Sequence, residues 1–474
     1  MFAADLSDSA KGKPNLRVIA GGASSITAPA IDVEQHEDNP GRFFSREGLL
    51  AQDLAHDVMT EVTCGYGVTD QRLYVYEGGV WRPDDGQITS AIVSRLGNRY
   101  RKSHGTNVID LIRYSADLPR ITGDPLPEHI NVRNGLVDWR TGTLTPHTPE
   151  HLGTVQLPVD YDPAAKCPRF EQFIKDVLPA DCRKPIGNSP GFIWELVGYT
   201  LYSGNPHHAA VLLYGKGRNG KGTLIRVIKR LVGARNSSSV TLYELVDNRF
   251  RAATLYGKLI NLAGDMDSRW LDNTATFKAM TGGDTIQGEI KYGAVFDFTP
   301  WALPFYSINK PFSSADSSEG WWARWIVVPF PNTFTGKENR NLDAQLQTDD
   351  ELRGILARGI QALPALMERG RLLQPKSVQN AKAEFIVRSD AVRSWIDEDC
   401  TLDADAWTPR THLYTAYCHY ADAAGAKRLS SREYYNRLDQ IDGIQPTGRK
   451  GVRGYRGIRL IDMSDWVRGP GSSG

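Results

Sequence analysis

Cysteine is scarce and scattered. The 474 residues hold five, Cys64, Cys167, Cys182, Cys400 and Cys418, and no two have C-x-x-C spacing. That argues against a disulfide framework and against a zinc site, and it predicts free thiols in a reducing cytoplasm. Long apolar runs are missing too. No uninterrupted stretch could span a bilayer, and residues 1–13 lack a signal-peptide core, so no membrane partner is expected. Nor is there an excess of one charge: 56 Lys and Arg against 55 Asp and Glu leave +1. The whole chain is therefore no polycation, and any nucleic-acid surface must be local.

A 41% hydrophobic and 23% charged composition is ordinary for a soluble globular protein, and the length allows about three domains. The most informative segment is Gly215-Lys216-Gly217-Arg218-Asn219-Gly220-Lys221-Gly222-Thr223. An apolar run, residues 209–214, precedes it and reads as a buried parallel strand. Leu224, Ile225, Val227, Ile228 and Leu231 follow at helical spacing, with Gly233 as a stop. Strand, glycine turn and helix surround a phosphate with backbone N–H groups and a positive helix end, and Lys221 reaches the β- and γ-phosphates of ATP. The alternative is a glycine-rich surface turn. The motif asks for a hydroxyl directly after the lysine, to bind Mg²⁺. Here Gly222 stands there, and Thr223 comes one step later.

Residues 259–263 form a second buried-strand candidate, ending at Gly264-Asp265-Met266-Asp267. Asp265 at such a strand end suits Mg²⁺ binding and polarisation of the attacking water, or else a turn or helix cap. Lys278 and the segment Lys291-Tyr292 read either as ordinary surface residues or as a DNA-touching helix end and hairpin. Residues 301–307 form a further strand ending near Asn309, which could orient the lytic water or simply make a turn. Arg324 sits among Trp321, Trp322 and Trp325. It is either packed by cation–π contact or an arginine finger aimed at a neighbour's ATP. A dense basic tract near the C-terminus includes Arg449, Lys450, Arg453 and Arg456.

Taken together these segments resemble the superfamily 3 helicase domain of phage and plasmid primase-helicases, the group that includes the poxvirus-type nucleoside triphosphatase. The resemblance runs from about Asn134 to Leu460 and includes Gly198-Tyr199. It implies that Gly215, Gly217, Asn219, Gly220, Lys221, Gly222 and Thr223 bind ATP, and that Thr223 and Asp265 hold Mg²⁺. It implies further that Lys221, Asp265, Asn309 and Arg324 serve hydrolysis, and that Lys278, Lys291 and Tyr292 touch nucleic acid. Gly222 and Ala323 depart from the family pattern, at the usual hydroxyl and at a usual second arginine. The implied fold is α/β: a P-loop, AAA+-like superfamily 3 ATPase core with an N-terminal α+β domain, a helical collar and a C-terminal winged helix. The expected division is a flexible head at 1–42, an accessory domain at 43–155, a collar at 156–206, the ATPase with its following helices at 207–400, and a basic module at 401–474. In that module Thr408 caps a helix starting at Pro409 and ending at Gly425, Ser430 opens a second helix, and a hairpin follows over 447–460. Asp403-Ala404-Asp405 is read as a loop.

The implied assembly is a homo-hexamer with ATP between subunits, translocating on single-stranded or forked DNA. No polymerase carboxylate set is evident, so a primase or polymerase on another chain is expected. A replication initiator that binds origins, and a defence or regulatory ring ATPase, are the competing functions.

Overall fold

The structure, a computed structural model, describes residues 39–461 apart from 248, 267–270, 272–273, 290–294, 313, 315, 317, 337–338 and 424–427. The side chains of 246, 247, 249 and 265 are also outside the description. Most of the expected head at 1–42 therefore falls outside it.

The fold is mixed α/β. Helices α1 (Ala51–Glu61), α2 (Gln87–Leu96) and α3 (Lys102–Arg113) pack beside a sheet of β1 (Cys64–Gly67), β2 (Leu73–Glu77), β3 (Val80–Pro83) and β4 (Arg120–Ile121). Gly78 and Gly79, both at positive φ, make the turn from β2 to β3, as a two-residue hairpin demands. A three-stranded meander follows: β5 (His129–Val132), β6 (Gly135–Asp138) and β7 (Thr143–Thr145). Pro168 occupies the first turn of α4 (Pro168–Val177), where its missing N–H costs nothing. Helix α5 (Phe192–Leu201) is buried along its whole length.

Next comes a five-stranded sheet, all parallel. Its strands are β8 (Ala210–Tyr214), β9 (Ser237–Ser238), β10 (Ile260–Met266), β13 (Leu303–Ile308) and β14 (Trp325–Pro329), in the order β9-β10-β13-β8-β14. Between β10 and β13 lie helix α6's neighbour α7 (Ala275–Gly282) and the antiparallel pair β11 (Ile286–Glu289) and β12 (Val295–Phe298); α6 itself (Lys221–Val232) follows β8. Strand residues alternate between two cores. Val211, Leu213, Phe305 and Val328 join α4, α5 and α6 on one face. Leu212, Tyr306, Trp325 and Val327 join Phe277, Trp321 and Phe385 on the other. Burial on both faces explains the continuous apolar runs.

Helix α8 (Asp349–Arg369) crosses α5 so closely that a Cβ at Gly198 would meet the Gly359 carbonyl, and one at Gly359 would lie 3.2 Å from the Gly198 nitrogen. Beside this crossing, Arg369 binds the fully buried Glu195 through two hydrogen bonds of 3.0 and 2.8 Å.

The last unit has its own core, built from Trp395, Tyr417, Tyr434, Leu438 and Ile458. It comprises α9 (Ala391–Asp399), β15 (Cys400–Pro409), α10 (Arg410–Ala423), α11 (Ser431–Leu438), β16 (Gln445–Arg449) and β17 (Val452–Leu460), with sheet order β15-β17-β16. Ser430 and Glu433 form a capping box at α11, as the sequence predicts. Two expectations are corrected. Asp403-Ala404-Asp405 falls within β15, where the chain bulges out of the ladder between Asp403 and Trp407, and Thr408 and Pro409 end that strand, the helix beginning one residue later at Arg410. The Thr408 hydroxyl is buried and donates to Ile458 O at 2.7 Å. Pairing of Trp407, Thr408 and Pro409 with β17 outweighs the local turn preference of Pro409.

Candidate active site

Parallel topology brings the carboxyl ends of β10, β13 and β8 side by side, the edge where open α/β sheets gather ligands. The glycine turn leaves β8 there. Gly217 and Gly220 take φ 93, and Arg218 takes φ 47. Gly215 has no room for a side chain between Asn219 and Phe330, and a Cβ at Gly220 would come 2.7 Å from Val177 of α4. The Phe330 carbonyl accepts from Asn219 Nδ2 at 3.2 Å, and Phe334 N donates to Arg218 O at 2.9 Å. The turn is thus clamped from two sides while Gly217 stays open, its nearest neighbour being Asn309 Oδ1 at 3.9 Å.

Lys221, the first residue of α6, is 4% exposed. Its Nζ donates to Gly215 O at 2.6 Å, Asn219 Oδ1 at 3.1 Å and Asn309 Oδ1 at 2.9 Å. Lysine, loop asparagine and strand-end asparagine, 88 residues apart in sequence, therefore meet at one point. A lysine at a glycine turn is ordinarily exposed. Here it is buried, because a cation can be desolvated when three oxygens receive it.

Gly222 is exposed and leaves space where Arg226 lies, 3.1 Å from its would-be Cβ. Arg226 donates to Thr223 Oγ1 at 3.2 Å and grips Asp343 at 2.8 and 3.1 Å. Thr223 is thus turned toward Arg226 and not grouped with Lys221. Asp265 lies in the last turn of β10, where pairing with β13 is irregular between Ala263 and Met266. Met266 pairs with Ile308, the neighbour of Asn309, so the backbone of Asp265 borders the same edge; its side chain is outside the description.

Arg324 begins β14 at the opposite edge. Its carbonyl accepts from Ala210 N at 2.8 Å, so the length of β8, about 16 Å, separates it from its own phosphate loop. Its Nε donates to Thr281 Oγ1 at 2.9 Å, and its guanidinium also contacts Gly320 O. Lys278 is tied to Asp316 at 2.6 Å, and Thr274 donates to the same carboxylate at 2.7 Å. Burial disfavours ionised Asp316, but hydrogen bonds from Lys278, Ser318 and Thr274 prevail and hold its carboxyl well below the usual range. Lys278 is half-satisfied by that pair. Lys291 and Tyr292 lie outside the described residues; the ladder of β11 and β12 runs up to Glu289 opposite Val295.

The terminal hairpin turns through Lys450 and Gly451, both at positive φ, and exposes Arg449, Lys450 and Arg453 at its tip. Arg456 is different: it donates to Ala404 O at 2.8 Å and pairs with Asp405 at 3.5 Å. Residues missed in sequence reading are Arg226 and Asp343, whose partnership joins distant segments without a motif. No helix among the described residues is long and apolar enough to cross a membrane.

Residues 51–179 match the family described as D5 N terminal like, and residues 213–324 match a family of unknown function, DUF5906. The first match begins well before Asn134. A protein of Acanthamoeba polyphaga mimivirus named "putative helicase" is 25% identical over 223 residues, which is 43% of this chain and 22% of that protein. The chain thus spans about a fifth of this curated relative. Two apo structures of the C-terminal region of NrS-1 are 11% identical, with TM-scores of 0.48 and 0.49; each match covers 86% of this chain and 99% and 100% of theirs.

Proposed function

We propose that this chain, which belongs to the phage primase-helicase family, is an ATP-driven helicase. On this reading it works as a ring, a homo-hexamer by the family resemblance, on single-stranded or forked DNA, with a P-loop superfamily 3 core and a terminal winged helix. A primase or polymerase would be supplied by another chain. The observation that carries the reading is the junction of Lys221, Asn219 and Asn309 at the carboxyl edge of a parallel sheet.

The residues there fit a nucleoside triphosphate. Gly217 leaves an open cradle, and the clamped loop turns into the N-terminus of α6, which favours an anion. Lys221 would exchange its three internal acceptors for β- and γ-phosphate oxygens. That exchange releases Asn309, free then to orient the attacking water. Mg²⁺, when bound, neutralises charge on the β- and γ-oxygens. Asp265 is the carboxylate to hold it, and Thr223 could contribute only after Arg226 lets go. Arg324, a full strand length from its own loop, would serve the site of a neighbouring subunit. Two helices and a basic hairpin with an exposed cationic tip support tethering of DNA outside the ATPase core.

The test is ATP hydrolysis with and without single-stranded DNA, with assembly state measured in the same samples. DNA-stimulated hydrolysis by an oligomer is expected. A monomer without hydrolysis in either condition would remove the reading.

A further inference from the structure

A cleft of about 1190 Å³ lies away from the phosphate loop, between the N-terminal sheet and the far end of α6. Two walls of cations face it. Arg72 and Arg82 come from the β2–β3 side, and Lys229, Arg230, Arg235 and Lys258 from the ATPase core. Arg72, Lys229, Arg230 and Arg235 are exposed, and among the described residues none of these four has a carboxylate partner. The acids nearby are fewer. Asp70 already accepts from Tyr74 at 2.9 Å and from Arg72 N at 3.3 Å, while Asp85 and Glu289 line the rim.

Aromatic surface interleaves with the charge. Phe250 is 44% exposed, and the Tyr256 ring packs edge-on against Phe296 at 5.4 Å. Tyr256 OH donates to Thr122 O at 2.9 Å, which bolts the two walls together. Phe296 and Glu289 belong to β12 and β11, so the cleft continues onto the hairpin strands.

We propose that this cleft binds a stretch of single-stranded nucleic acid, with phosphates on the two cationic walls and unpaired bases against Phe250 and the Tyr256–Phe296 wall. The volume exceeds the roughly 300–1,000 Å³ of small-molecule sites, which favours a chain over a mononucleotide. Accessible aromatic surface, most of all on Phe250, favours unpaired bases over a duplex, whose base faces are already stacked. Burial, with Arg235 adding to it, lowers the Lys258 pKa, a cost that an arriving phosphate would offset. The inference rests on the helicase reading only for the kind of polymer involved. It needs neither nucleotide nor hydrolysis.

The experiment titrates the full chain, without nucleotide, against a dye-labelled oligothymidylate at several salt concentrations. One variant combines Lys229→Gln, Arg230→Gln and Arg235→Gln. A second combines Arg72→Gln and Arg82→Gln. These side chains lie at the surface, and circular dichroism checks the fold. The triple variant is expected to bind at least tenfold more weakly, with a salt slope shallower by about 2, since each single-strand phosphate contact contributes about 0.7. The double variant should flatten the slope by about 1.4 on the same count, roughly two-thirds as much. Parental affinity and slope in both variants would overturn the cleft while leaving the helicase reading intact. So would a loss confined to the triple variant, which would indicate a one-sided patch. A parent chain that binds no oligothymidylate without nucleotide would overturn the cleft and leave the helicase reading to its own hydrolysis test, as would preference for an acidic peptide or a duplex.

Discussion

The phosphate loop and the terminal hairpin are both basic turns between regular elements, yet they hold their cations in opposite ways. In the loop a single ammonium, Lys221, is buried on three oxygens, two from the loop itself and one from the end of β13. In the hairpin Arg449, Lys450 and Arg453 stand in solvent, while Arg456 and Arg459 are drawn back toward Asp405 and Asp403. A buried cation is a statement of position: it is costly to misplace, and its removal leaves its acceptors unpaired. Exposed cations act by number, are screened by salt and substitute for one another. Chemistry should therefore depend on the first, and affinity on the second.

The sharpest break would come at Lys221. Lys221→Ala should reduce ATP turnover by roughly 10²–10³, the scale of a lost transition-state donor. It should also lower the melting temperature, because Asn219 and Asn309 lose a shared donor. Parental turnover would erase the contrast between the two turns.

Arg324 tests whether position extends between subunits. Arg324→Ala should also cost about 10³ in turnover. Mixing it with Lys221→Ala subunits should restore part of the activity, because some interfaces then pair an intact loop with an intact arginine. Absence of recovery in proven mixed assemblies would leave Arg324 as the partner of Thr281 alone.

A smaller effect is expected beside the loop. Thr223→Val removes an acceptor of Arg226, which keeps Asp343, so turnover should fall by less than tenfold. A loss as large as that of Lys221→Ala would make Thr223 a metal ligand. Gly222→Ser should be tolerated, because its side chain meets only Arg226 Nη1, at the end of a long side chain, and no backbone.

The hairpin should respond least per residue. Replacing Arg449, Lys450 and Arg453 by Gln should lower DNA affinity by a few-fold at low salt and flatten the salt slope by about 2, with unwinding retained. Loss of all unwinding at saturating DNA would make the hairpin positional after all. Smallest of all, Lys278→Met should lower the melting temperature by about 1–3 °C at pH 7. The Asp316 carboxyl is depressed in the folded chain. Its contribution is present above its ordinary value of 3.8 and fades as pH falls below that, so variant and parent should converge in acid.

Much of this was legible because it is local. A run such as Ala210–Tyr214 followed by glycines and a spaced apolar stripe has one economical reading, and Ser430 with Glu433 announces a helix start three residues apart. What escaped depends on pairing across distance. The stretch from Trp407 to Pro409 looks like a helix start until β17 supplies a ladder. Helix α3 hides its apolar stripe, Val108 and Ile112, among polar residues. Arg226 meets Asp343, and Arg72 faces Arg235, without any motif to announce either.

The crossing of α5 and α8 has a mechanical meaning. With Gly198 and Gly359 in backbone contact and Glu195 clasped by Arg369, there is no cushion of side chains to compress. Such a joint transmits force like a welded strut. Any stroke generated at the sheet would be delivered to the preceding segment undamped, and a single methyl group added at Gly198 would pry the joint open.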